Sequence, residues 1–191
     1  MMFAIKNAFN KDPKFLSQVL NAGGVIIFPT ETLYGLGCDA TNPQALLKVY
    51  QVKGRQLGKS FPVLIRDMNM LSEYAIFNQD QKRAITSAKS PTTFILKSKN
   101  LSPLVTQKHT AAFRIPKTGW AKKIFKHFDK PLVATSANLS KQEPLPDPRI
   151  YKESFGKNSD LIDAVVFTGI NRKRKPSAII DLTKRPYKIV R

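Results

Sequence analysis

One cysteine, two histidines, one tryptophan and only 13 acidic residues mark this chain by what it has little of. Cys38 alone permits neither an internal disulfide nor a cysteine-built metal cluster, and a small buried apolar side chain is its ordinary role. His109 and His127 have no Ser, Cys or carboxylate neighbour at suggestive spacing, which argues against a histidine-dependent nucleophile. The acidic residues are scattered, which argues equally against a protein-built cage for a divalent metal. No stretch approaches the roughly 18 consecutive apolar residues of a membrane span. Lys6, Asn7, Asn10, Lys11 and Asp12 interrupt the apolar residues between Met1 and Phe15, so this end lacks the hydrophobic centre of a signal peptide. The expectation is a cytoplasmic protein without membrane association.

What the chain has in excess is positive charge. Lys and Arg number 32, for a formal net charge of +19, and such a field attracts polyanions. A nucleoside triphosphate needs few of those charges, so the surplus points either to RNA or to a generally basic proteome. The densest cluster, Arg172-Lys173-Arg174-Lys175, precedes Pro176 in what reads as a loop, and a solvated loop accounts for it as well as RNA does. Trp120 stands alone, and no aromatic-basic ribbon of the kind used by single-strand binders is present. At 191 residues and 42% hydrophobic, with no linker, the chain is expected to fold as a single domain over residues 1–191 around one core.

Helix and strand patterns interleave along the chain. Helices are expected at Phe15 to Ala22, after Thr41 or Asn42 with Pro43 in the first turn, from Asp67 as cap through Tyr74, at Gln79 to Ala88, and at Trp120 to Phe128. Strands are expected from Gly23 to Phe28, then at Phe61 to Arg66, Thr92 to Lys97, Ala111 to Ile115, Leu132 to Thr135, Leu161 to Phe167, Ser177 to Leu182 and Tyr187 to Val190. The alternation predicts an α/β fold, a twisted open mixed sheet with flanking helices.

Phe28 to Asp39, F-P-T-E-T-L-Y-G-L-G-C-D, reads as a loop facing a ligand at a strand's carboxyl end, with Gly35 and Gly37 admitting close backbone approach; by itself it could equally be an ordinary turn. Lys53-Gly54-Arg55 with Lys59 could clamp a triphosphate if Gly54 lets both side chains enter one groove, or be a solvated basic turn. Ser136 and Asn138 in S-A-N-L-S alternate at a strand's end, facing a pocket or forming a capping turn before Pro144. Arg114 lies among apolar residues and needs an anionic partner, for which an amino acid carboxylate is suitable. This inventory of Lys, Arg, Ser, Thr and Asn suits positioning and electrostatic stabilisation better than acid–base work.

Taken in order, P-T-E-T-L-Y-G-L-G, K-G-R, S-P-T-T-F at Ser90 to Phe94, R-I-P at Arg114, S-A-N-L-S and S-A-I-I-D at Ser177 to Asp181 resemble the YrdC/TsaC family of threonylcarbamoyl-AMP synthases, over Gly23 to Arg191. The resemblance implies a YrdC-like fold similar to the dihydroxybutanone-phosphate-synthase type. It also implies a nucleotidyltransferase that condenses L-threonine, bicarbonate or carbon dioxide, and ATP into threonylcarbamoyl-adenylate and pyrophosphate for the tRNA nucleoside t6A. Lys53 and Arg55 would act in catalysis. Lys53, Arg55, Lys59, Thr110, Asn138 and Arg191 match positions around ATP, and Thr32, Arg114, Ser136 and Ser177 match positions around L-threonine. ATP enters as a substrate, with Mg2+ held by its phosphates and no protein metal site. Direct tRNA binding and a downstream threonylcarbamoyl-transferase complex are the implied partners. Departures from the family pattern fall at Gln56, Ser60 and Phe61, at Ser90-Pro91, at Thr118 where histidine is common, and at Lys141 where glycine is usual. Ending at Arg191, the chain is expected to be the short form without the additional carboxy-terminal domain. A non-catalytic basic RNA-binding module in tRNA or rRNA maturation is the rival reading, and the related carbamoyl-adenylate chemistry of hydrogenase-maturation proteins is a third.

Overall fold

Side-chain caps set the helical frame. The computed structural model describes residues 8, 9, 11–170 and 177–191. After β1 (Ala8–Phe9), the Asp12 carboxylate accepts the Lys14 amide and opens α1 (Pro13–Asn21). β2 (Ile26–Pro29) and β3 (Tyr34–Gly37) come next, and Asn42 accepts the Gln44 and Ala45 amides to open α2 (Pro43–Val52). β4 (Val63–Leu64) leads to α3 (Met68–Tyr74), capped by Asp67 as expected, and then to β5 (Ala75–Ile76). A reciprocal Asn78–Gln81 box opens α4 (Gln79–Ser87). The remaining elements are β6 (Thr92–Ser98), β7 (Thr110–Arg114), α5 (Gly119–Ile124), β8 (Leu132–Val133), β9 (Thr135–Ser136), α6 (Tyr151–Phe155), β10 (Ala164–Val165), β11 (Ala178–Asp181) and β12 (Lys188–Ile189), with short 3-10 turns between them.

Among the described residues the strands form two mixed sheets. One runs β1-β10-β2-β3-β9; the other runs β12-β11-β6-β7-β4-β8, with β5 on β6. The expected α/β class with a mixed, open, helix-flanked sheet is thus observed, in two parts. The seam between them is residues 132 to 136. Gly35↔Ser136, Leu36↔Thr135 and the bridge Asp39↔Leu132 keep one antiparallel register with β3 and its continuation, while Val133 and Leu132 pair on their other side with Val63 and Leu64 of β4. One short segment therefore belongs to both sheets.

The stretch read as a ligand-facing loop is half strand. Tyr34, Gly35, Leu36 and Gly37 are all buried and pair with β2, so only residues 30–33 form the turn. The glycines mislead because two neighbouring chains approach them. A Cβ at Gly37 would lie 2.5 Å from the Val133 carbonyl oxygen and 2.8 Å from a Phe28 ring carbon. Pro29 is the last residue of β2. Expected strands at Phe61 to Arg66 and Leu161 to Phe167 shrink to two residues each; flanking residues such as Ile65 and Val166 keep single backbone hydrogen bonds, to Arg114 and Ile27, without extending the ladders. The core reading of Cys38 holds: it is fully buried, and burial, with Asp39 beside it, pushes the thiol well above its ordinary pKa.

Gly37→Ala is expected to destabilise the protein by about 1–3 kcal/mol, the usual range for overpacking a filled interior. A urea midpoint unchanged from wild type would show that the seam can open to admit a methyl group.

Candidate functional site

The 30–33 turn is built by one hydroxyl. Thr30 Oγ1 donates to the Leu33 carbonyl (2.6 Å) and lies 3.1 Å from Thr32 Oγ1, while it accepts the Thr32 and Leu33 amides at 3.2 and 3.1 Å. This leaves Glu31 at the apex, reaching across to β7 and the turn after it. Arg114 donates Nη2 to Glu31 Oε2, and the amides of Lys117 and Thr118 both donate to Oε1 at 2.8 Å. The two side chains are 8% and 11% exposed, so the pair is largely desolvated. Burial pushes the Glu31 carboxyl up, but the Arg114 hydrogen bond and charge and the two backbone amides outweigh it, and the net shift is downward. The anionic partner that Arg114 requires thus lies within the chain. Glu31 is the residue that sequence reading missed in this role, although its signal was present as a lone carboxylate inside the T-E-T turn. Thr118, a departure from the expected histidine, also adds its hydroxyl to Oε1 at 3.3 Å.

Ser136, at the end of β9, begins a loop closed by hydrogen bonds from the Ala137 amide to the Tyr34 carbonyl and from the Leu145 amide to the Ala137 carbonyl. Beneath it lies Lys53, the C-terminal cap of α2. Its Nζ donates to the carbonyls of Ser136 (2.6 Å) and Asn138 (2.8 Å) and to Asn138 Oδ1 (3.1 Å). Burial, with Arg55 nearby, pulls the Lys53 amine down to about 7. Gly54 has φ +54, a left-handed turn that sends Lys53 inward and Arg55 outward. The expectation that Lys53 and Arg55 share one groove is therefore corrected: Lys53 is 2% exposed and stands behind the wall rather than in front of it. Lys141 shows why its departure from glycine is tolerated. It takes φ +72, the backbone a glycine would supply, and points to solvent.

A cleft of about 920 Å³ runs along the seam between the sheets. Thr32, Arg114, Ser136 and Ser177 all line it, as do Arg55 and Arg191. Thr93 and Glu143 were not expected there; Thr93 Oγ1 lies 3.1 Å from Ser177 Oγ, although it falls inside the S-P-T-T-F motif. Arg191 donates Nη2 to the Ser177 carbonyl at 3.3 Å. Arg55 stacks on Phe61, 4.9 Å from ring centre, and donates to the Ser60 carbonyl at 3.2 Å, so the unusual Phe61 supports it. Among the described residues, neither Arg55 Nε nor Arg114 Nε has a hydrogen-bond partner, although both are buried. An unsatisfied buried donor of this kind is costly to the fold.

The other expected residues are not on the cleft. Asn138 accepts the Ser136 hydroxyl at 2.6 Å from behind, and Lys59 is exposed on the 56–60 loop. Thr110 begins β7, the opposite end from Arg114, and gives its hydroxyl to the Gln107 carbonyl at 2.7 Å. Four residue steps of strand separate the two by about 13 Å, so Thr110 stands apart from this cleft. The Arg172-Lys173-Arg174-Lys175 cluster lies outside the described residues.

Comparison with known proteins gives consistent matches. A family model, Sua5/YciO/YrdC, described as telomere recombination, matches residues 18–191. A putative threonylcarbamoyl-AMP synthase of Methanocaldococcus jannaschii is 34% identical over 171 residues, covering 88% of this chain and 79% of that protein. The crystal structure of E. coli YciO superposes with a TM-score of 0.80 at 27% identity, covering 97% of this chain and 92% of the other. P. abyssi Sua5, solved in complex with L-threonine, has a TM-score of 0.85 at 24% identity, which speaks for the fold; this chain matches it over 97% of its own length and spans 55% of that one.

Because the Glu31 carboxyl titrates below its ordinary value of 4.5 in the folded protein, the ionised group contributes stability that is complete above that value. That contribution is lost as pH falls through the depressed native value. Glu31→Gln should therefore flatten the acid limb of the stability profile below pH 4.5, read as urea midpoint against pH. A variant with the same acid limb as wild type would show that the pair does not stabilise the fold.

Proposed function

The chain belongs to the Sua5/YciO/YrdC family, and on that footing we propose that it is an L-threonylcarbamoyladenylate synthase, joining L-threonine, bicarbonate and ATP into threonylcarbamoyl-adenylate with release of pyrophosphate. One observation carries the reading. Arg55 and Arg114 line one cleft with the hydroxyl-bearing Thr32, Ser136 and Ser177. Two guanidinium groups and three hydroxyls suit two substrates, one a carboxylate and the other a polyphosphate.

Arg114, aimed by Glu31, takes the amino acid carboxylate, and Thr32, Ser136 and Ser177 surround the rest of the molecule. The carboxylate of N-carboxythreonine is already ionised, so no histidine or carboxylate base is needed. It forms when the neutral threonine amine attacks carbon dioxide and loses a proton to solvent, or attacks bicarbonate with loss of water, and it then attacks the α-phosphorus of MgATP in line; the bond to the bridging oxygen breaks and pyrophosphate leaves with the electron pair. Arg55 stabilises charge on the phosphates, Lys59 reaches toward them from its exposed loop, and Arg191 holds the nucleotide side. The rate comes from alignment and fixed positive charge. The product serves a threonylcarbamoyl-transferase that forms t6A in tRNA, and the +19 charge supports direct contact with that RNA. The setting is cytoplasmic; no helix among the described residues is long and apolar enough to cross a membrane.

Pyrophosphate release should require ATP, L-threonine and bicarbonate together. Serine should be a poorer substrate by about 10- to 200-fold, the worth of one methyl contact. Arg55→Lys, which keeps the charge and loses the planar fork, should fall with Arg55→Ala rather than with wild type. Full-rate ATP turnover without threonine would remove the proposal.

A further inference from the structure

Lys53 grips the Ser136–Ser140 turn at both ends. Its ammonium donates to two carbonyls and to Asn138 Oδ1, while its own carbonyl accepts the Ser140 amide at 2.9 Å. When the group is protonated, these contacts commit all three of its N–H bonds.

The Gln142 carbonyl fixes the Asn138 amide. A carbonyl oxygen only accepts, so the atom facing it must be the amide nitrogen, and the atom facing Lys53 Nζ is then the oxygen. The same Oδ1 lies 2.6 Å from Ser136 Oγ, and an amide oxygen only accepts. Ser136 therefore spends its one hydroxyl proton on Asn138. What remains for the cleft, which Ser136 lines, is a pair of lone pairs.

We propose that Lys53 is a positioning residue which, through Asn138, holds Ser136 Oγ as an obligate hydrogen-bond acceptor toward the cleft, so that this wall selects a ligand N–H or O–H group and rejects carboxylate and phosphate oxygens. The inference rests on the threonine reading above. With the substrate carboxylate on Arg114, the donors left for Ser136 are the amine, or the carbamate N–H formed from it, and the β-hydroxyl. Lys53 then acts on the threonine side of the reaction and not as a clamp on the triphosphate.

The test varies threonine and ATP separately in pyrophosphate-release assays of wild type, Ser136→Ala, Asn138→Ala, Lys53→Met and the Lys53→Met/Ser136→Ala double variant, with circular dichroism as a check on folding. Each single variant should raise KM for threonine about tenfold, the loss of one hydrogen bond to a polar ligand, and change KM for ATP less than about threefold. In the Ser136→Ala background, Lys53→Met should add less than about twofold to KM for threonine, because the two act through one contact. Should Lys53→Met fail to fold, Asn138→Ala carries the test, since Asn138 lies on a half-exposed loop. A tenfold rise in KM for ATP with KM for threonine unchanged, or unaltered kinetics in Asn138→Ala, overturns the proposal. A wild-type protein indifferent to threonine removes the functional reading itself and this inference with it, and is told apart because no variant is needed to see it.

Discussion

Residues 132 to 136 must satisfy two sheets within five positions. On one side they continue the register of β3, on the other they pair with β4, and the peptide groups leave no room for side chains at the crossing point. The cleft exists because of that constraint. Where the segment passes from one sheet to the other, Pro62, Leu64, Ala134, Thr135 and Ser136 line the cleft. Ser136 thus faces the cleft by virtue of strand register, and Gly37 permits the close passage that makes the register attainable.

Charge is arranged with economy around this seam. In a chain so short of acidic residues, Glu31 sits against Arg114, and its other oxygen collects two backbone amides from the loop after β7. Removing either partner would strand a buried charge, so the pair ties the 30–33 turn to β7 more firmly than an exposed ion pair could. The unpartnered Nε–H groups of Arg55 and Arg114 run the other way. Each is a buried donor without an acceptor among the described residues, which costs stability.

How much of this was legible depends on the range of the interaction that decides each feature. The caps Asn42, Asp67 and Asn78 with Gln81 act within four residues, and the helices they open start where the sequence places them. Strand limits were less readable, since burial of Phe61 or Ile162 does not require a paired neighbour. β3 was hidden because a glycine-rich run looks like a turn until the chains crowding Gly37 are known. The resemblance selected Thr32, Arg114, Ser136 and Ser177, and all four reach one cleft; Thr110 and Lys59 do not.

By itself the sequence determined the α/β class, the starts of the helices capped by Asn42, Asp67 and Asn78, the ordered motifs and the stock of cationic and hydroxyl groups from which a site could be made, because local hydrogen bonding and hydrophobic periodicity suffice for these. Tertiary structure alone decided where those groups point. Lys53 and Arg55 are two residues apart and chemically alike in sequence, yet a left-handed Gly54 turns one beneath the Ser136 loop and leaves the other at the cleft. Which carboxylate meets Arg114, and which ammonium lies beneath the Ser136 loop, depend on contacts more than eighty positions apart along the chain, as the Glu31–Arg114 and Lys53–Asn138 separations of 83 and 85 show. Nothing in a local pattern carries information about a partner that only folding brings within hydrogen-bond range.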